Sequence, residues 1–109
     1  MIKQKRESRY QLSNSAPENV EVYEDGEHVG HLDNISVSGE GLMFFSKYPY
    51  KNGSYLALEV ELPNTTLSIN GEVRWYQAEL SSVGLQLKQS SSTTQLSRYC
   101  HGKMMARPR

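Results

Sequence analysis

From Val20 onward, hydrophobic residues recur at every second position and predict short strands separated by turns. Val20 and Val22 alternate with polar neighbours and run into Asp25-Gly26, a dipeptide suited to a two-residue hairpin turn, and the return strand passes Val29 and His31. After Gly39 and Gly41 the run Leu42-Met43-Phe44-Phe45 predicts a strand buried on at least one face, and Asn52-Gly53 marks the next turn. The clearest alternation sets Leu56, Leu58, Val60 and Leu62 on one face and Tyr55, Ala57, Glu59 and Glu61 on the other. Pro63-Asn64-Thr65 then turns the chain into Leu67, Ile69, Gly71, Val73 and Trp75. Gly71 is the expected place for a bulge, and Trp75, like Phe44, is an expected core residue. Val83, Leu85 and Leu87 complete six or seven strands. An open sheet would leave too much of this apolar surface in water, so the pattern predicts closure into a small barrel or sandwich.

At Ser91 the period changes: Leu96, Tyr99 and Met104 fall at helical spacing among polar residues, predicting a short C-terminal helix of about three turns capped by Ser91 or Ser92. The organisation expected is a flexible basic arm over 1–12, an all-β barrel with its helix over 13–105, and a loose tail over 106–109. A length of 109 residues suits one domain with one core. The single cysteine, Cys100, cannot form an internal disulfide and suits a reducing compartment. No run reaches the roughly 18 apolar residues of a membrane helix and no apolar stretch follows the first charges, so a cytoplasmic protein without membrane insertion is expected.

Charge is balanced overall but uneven along the chain. Residues 1–10 hold four bases and one acid, a net +3, whereas residues 11–62 hold two bases and nine acids, a net −7, and residues 63–109 return to +4. A protein that lies along DNA or RNA carries a broad basic face, so these localised bases favour a small anionic ligand. The arm Lys5-Arg6-Glu7-Ser8-Arg9 offers guanidinium forks that pair with phosphate or with the O6/N7 edge of guanine. Asn34-Ile35-Ser36-Val37-Ser38-Gly39 offers a carboxamide and a hydroxyl two apart, hence on one side of an extended segment, ended by a glycine free to take positive φ. Taken alone, the hexapeptide also reads as an Asn-initiated turn and the arm as a solvated terminus. No Ser/His/Asp or Cys/His constellation and no phosphate-cradling glycine loop is evident, so an enzyme is not expected. Nor is a metal: His28 and His31 fall on opposite faces of a strand, and Cys100 and His101 diverge on a helix.

In this order the motifs resemble the PilZ domain family, the bacterial receptors for cyclic di-GMP, which carry Arg-x-x-x-Arg followed within the barrel by Asp/Asn-x-Ser-x-x-Gly. Asn34, Ser36 and Gly39 match the second motif in full. The first reads Lys5-Arg6-x-x-Arg9, with a lysine at the start of the four-residue spacing, so either Lys5 or Arg6 fills the first role. Gly71-x-Val73-x-Trp75 and Val83-Gly84-Leu85 resemble the family's closing hairpin.

The resemblance implies a six-stranded antiparallel barrel with a C-terminal helix, an arm that closes over the ligand, and signalling through a downstream protein partner. It assigns ligand binding to Lys5, Arg6, Arg9, Asn34, Ser36 and Gly39, with cyclic di-GMP as ligand and no other cofactor. Two alternatives stand beside it: a PilZ-like adaptor that binds no nucleotide, suggested by Lys5, and an oligonucleotide-binding barrel using Arg6, Arg9, Tyr10 and Trp75, against which the acidic middle weighs.

Overall fold

The alternating segments become seven antiparallel strands and one helix in the computed structural model, which describes residues 9–11, 20–36 and 38–105, with side chains over 20–36 and 38–102. The elements are β1 (Arg9–Gln11), β2 (Glu21–Glu24), β3 (Glu27–Ser36), β4 (Gly41–Ser46), β5 (Tyr55–Glu61), β6 (Thr66–Gln77), β7 (Ser82–Leu87) and α1 (Ser91–Met105). The sheet runs β3-β2-β5-β6-β7-β4 and closes through a β4–β3 pairing, giving the six-stranded barrel; β1 adds to the free stretch of β3 beyond β2. Closure leaves the barrel strands no open edge.

Turn chemistry sets the hairpins. Asp25 (φ 53°) and Gly26 (φ 80°) both take the left-handed conformation that a two-residue hairpin needs. The β5 alternation holds throughout, with Leu56, Leu58, Val60 and Leu62 buried and their neighbours in water. Phe44 is fully buried, and Tyr50 sets its ring edge-on to it at 6.1 Å while donating a hydrogen bond to Glu24 at 2.9 Å. Tyr48 donates likewise to Glu27, so two tyrosines tie the β2–β3 hairpin to the β4–β5 connection.

Four expectations are corrected. The β6 irregularity falls between Val73 and Trp75 rather than at Gly71, whose missing side chain instead admits Leu87. Trp75 is consequently 38% exposed and not a core residue. The helix begins one residue after Ser90, which is its cap: the Ser90 hydroxyl accepts from the Thr93 amide (3.4 Å), and the Thr93 hydroxyl accepts from the Ser90 amide (2.9 Å). This reciprocal pair is a capping box with threonine in the third place. The helix is also longer than expected, at 15 residues, and buries Thr93, Leu96 and Cys100 against the barrel at 3- and 4-residue spacing.

Candidate functional site

Two bulges decide which chemistry reaches the outer surface. In β3, Leu32 pairs with Phe44 and Asn34 with Met43, so Asp33 is an extra residue that shifts the alternation by one. Leu32 and Ile35 therefore both face the core, while Asn34 and Ser36 point to the other side of the strand with Met43, where both are covered, Asn34 to 7% and Ser36 to 0% exposure. In β6, Val73 pairs with Leu85 and Trp75 with Gly84, leaving Arg74 as the extra residue. The same reversal turns Trp75 outward and Tyr76 toward the core.

The registers then line up across five strands. Gln11 stands opposite Asn34, Asn34 opposite Met43, Met43 opposite Gly84, and Gly84 opposite Trp75. The Trp75 indole covers Gly84, where a β-carbon would sit only 2.3 Å from ring atoms Cε2 and Nε1. At the other end of the row the Asn34 amide donates to the Asp33 carboxylate at 3.0 Å and to the Met43 sulfur at 3.4 Å. Thioether and indole are polarisable, apolar groups on which a base can rest, and the carboxamide beside them carries the donor and acceptor that a base edge needs.

The loop after β3 is knitted by its own serines. The Ser36 hydroxyl is fully buried and accepts from the Gly41 amide at 2.9 Å, while the two hydroxyls of Ser36 and Ser38 share a hydrogen bond at 3.2 Å. Gly39 closes the turn by donating its amide to the Ser36 carbonyl at 2.9 Å. Its φ is +78°, and a methyl group there would lie 2.1 Å from the Thr93 carbonyl oxygen and 2.8 Å from the Ser97 nitrogen of α1. Gly39 thus serves twice: it takes a left-handed turn, and it lets the loop rest directly on the helix backbone.

Strand β1 brings the end of the basic arm to this place, with the Cα partners Arg9↔Ser36, Tyr10↔Ile35 and Gln11↔Asn34. Lys5 and Arg6 lie outside the described residues. Two acids, Asp33 on β3 and Glu40 in the loop, lie here, and a denser group lies elsewhere. Glu21 stands directly opposite Glu61, and Tyr23 opposite Glu59, on β2 and β5, and β5 is across the barrel from β4. The Tyr23 phenol is pushed above its ordinary pKa, first by the Glu61 charge, then by burial and Glu21. An anion on the β3–β4–β7 side stands away from that group, and the carboxylate nearest to Asn34 there is Asp33, which accepts from the Asn34 amide. Among the described residues no group of three His, Cys, Asp or Glu side chains could hold a metal ion, and no helix is long and apolar enough to cross a membrane.

The sequence does not single out Met43, and it offers Trp75 as a contact only in the oligonucleotide-binding alternative. The signal available for Trp75 was Gly84 in the partner strand: a glycine in a strand marks a close approach, here by an indole. For Met43 nothing in the sequence distinguishes it from the core residues on either side.

The family model of the PilZ domain matches residues 3–102. No curated protein matches the sequence. Among solved structures, the Bacillus subtilis inhibitor of motility MotI/DgrA superposes with a TM-score of 0.64 at 19% identity over 99% of this chain, which spans 55% of that protein. The PilZ domain of Escherichia coli YcgR, solved with cyclic di-GMP, superposes with a TM-score of 0.66 at 13% identity, covering 96% of this chain and 95% of that one.

Proposed function

Since the chain belongs to the PilZ domain family, we propose that it is a cyclic di-GMP receptor domain that works by signalling and not by catalysis. The observation that carries the reading is the β1–β3 register, in which Arg9 is the direct partner of Ser36 and Gln11 of Asn34. Arg9, the last residue of the first motif, thus meets the second motif, distant in sequence, at one edge. Support also comes from the YcgR domain, which shares the fold and holds this ligand.

In this reading Arg9, with Arg6 and Lys5, supplies the positive charge for the two phosphodiesters and the forks for guanine O6/N7. Asn34 reads a guanine edge beside Met43, and Trp75 offers a face for stacking. Ser36 and Gly39 hold the loop in shape. Closure of the arm over the outer face of β3 and β4 orders it around the ligand, and the new surface is what a partner protein reads.

Arg9→Ala tests this. Losing two charge-assisted hydrogen bonds of about 1.5–3 kcal/mol each corresponds to at least a hundredfold loss of affinity. Calorimetric titration with cyclic di-GMP should show that loss; unchanged affinity refutes the assignment. The second reading, an adaptor that binds no nucleotide, draws on Lys5 standing where the family carries arginine. A thermal shift with cyclic di-GMP separates the two, because only a ligand that binds the folded state raises the midpoint.

A further inference from the structure

On the side of α1 away from Gly39, an open cleft of about 370 Å³ runs between the helix and the β5–β6 turn. That volume lies within the range of roughly 300–1,000 Å³ typical of ligand pockets. Its walls are unlike those of the nucleotide site. Leu62 and Pro63 with the half-buried ring of Tyr99 supply apolar surface, and Gln95 and Thr65 supply hydrogen-bonding groups. Arg98 stands at the rim. The turn is pinned by the Leu62 amide bonding the Thr65 carbonyl at 2.8 Å, so this wall is preformed.

Charge selects the occupant. No acidic residue lines the cleft, and α1 carries none in any of its 15 positions. Arg98 makes no ion pair among the described residues. An exposed guanidinium beside an apolar floor, with no internal carboxylate to satisfy it, suits an apolar side chain followed closely by a carboxylate. Nucleic acid fits less well, because phosphodiesters have no use for the Leu62–Pro63–Tyr99 floor.

The cleft is also mechanically tied to the loop that carries Ser36 and Gly39. With roughly 100° per residue in a helix, Gln95 is nearly opposite Thr93, and Arg98 lies well round from Ser97. The Gly39 backbone presses on Thr93 and Ser97 from one side while Gln95, Arg98 and Tyr99 form a cleft wall on the other. A shift of the loop must move the helix that lines the cleft. The geometry points to this cleft as a docking site for an acidic, apolar-anchored segment of a partner protein, with its affinity set through α1 by the state of the 36–41 loop. The second clause rests on the receptor reading; the first does not.

The test uses the whole chain and a fluorescein-labelled acidic probe peptide alternating Asp or Glu with Phe and Leu, with a Lys-for-acid peptide of the same length as control. On the ligand-free protein, amide shift mapping should place the acidic peptide on residues 62–65 and 95–99, and Arg98→Glu should weaken it at least tenfold while the thermal midpoint holds. Equal binding of the basic peptide, shifts confined to other surfaces, unchanged affinity in Arg98→Glu, or displacement by a single-stranded oligonucleotide of equal charge overturns the docking site. Saturating cyclic di-GMP should change the peptide affinity at least threefold. An unchanged value with the nucleotide shown bound by calorimetry overturns the coupling alone, whereas absent nucleotide binding counts against the receptor reading and leaves the docking result standing.

Discussion

Gly39 and Gly26 form a natural matched pair, and substituting alanine at each measures how closely the loop rests on the helix. Their φ values are nearly the same, +78° and +80°, so the backbone cost of adding a β-carbon in the left-handed region, about 1–2 kcal/mol, is common to both. Their surroundings differ. A β-carbon at Gly26 meets nothing within 4 Å, while at Gly39 it falls 2.1 Å from the Thr93 carbonyl oxygen and 2.8 Å from the Ser97 nitrogen. Both neighbours are helix backbone and cannot rotate away, so the loop or α1 must move, at a further cost of about 1–3 kcal/mol. Gly39→Ala should therefore lose about 2–5 kcal/mol in urea denaturation against about 1–2 for Gly26→Ala. At about 4–8 °C per kcal/mol for a domain of this size, the first should melt about 10 °C or more below the parent. Amide exchange in α1 should rise in Gly39→Ala alone, since that helix bears the displacement. Equal losses for the two variants, with α1 exchange unchanged in both, would show that the loop does not rest on the helix.

Ser36→Ala removes the acceptor of the Gly41 amide and should cost about 1–3 kcal/mol by chemical denaturation, with cyclic di-GMP affinity of the folded protein changed less than in Arg9→Ala; the reverse ranking would make the Ser36 hydroxyl a ligand contact. Gly84→Ala should lift the indole of Trp75 off β7, read as a change in emission of the only tryptophan in the chain, and an unaltered spectrum would deny that contact. Tyr50 has its pKa raised above the ordinary tyrosine value, first by burial and then by the Glu24 hydrogen bond. An unfolded tyrosine ionises near pH 10, so the folded protein holds this proton more tightly; the associated stability is complete below about pH 10 and is lost as pH rises beyond it. Denaturation midpoints of Tyr50→Phe should fall less steeply than those of the parent above pH 10, and parallel curves would contradict the raised value.

The barrel was legible because most of its strands obey period two and its turns use residues with a backbone reason to be there. Asp25-Gly26 and the Leu56–Leu62 alternation needed no tertiary information. Trp75 was misplaced because period-two counting assumes an unbroken strand, and the extra residue Arg74 reverses the face from that point on. The same blindness applies to Asp33, although there it did no harm: Asn34 and Ser36 share a face whichever way the strand is turned. Cys100 escaped as a core residue because the helix was anchored on Leu96 and Tyr99, whereas the buried stripe runs Thr93, Leu96, Cys100. Strand β1 was illegible for a simpler reason. Three residues, Arg-Tyr-Gln, carry no period, and their pairing is set by the unoccupied stretch of β3 beyond β2.

The bulges have a consequence for how this domain can vary. By reversing the face of β3 and β6 outside the core register, they let Asn34 and Trp75 sit on the outer wall while Leu32, Ile35 and Val73 continue to fill the interior. Outer residues can then change with little cost to packing, because the inner residues on the same strands are untouched. The loop at 36–41 has no such freedom. Its hydroxyls build the turn, its glycine contacts α1, and its first residue is the register partner of Arg9. Any ligand that presses on this loop acts on groups that also hold the helix in place, so ligand free energy and fold free energy are coupled here more directly than at Met43 or Trp75.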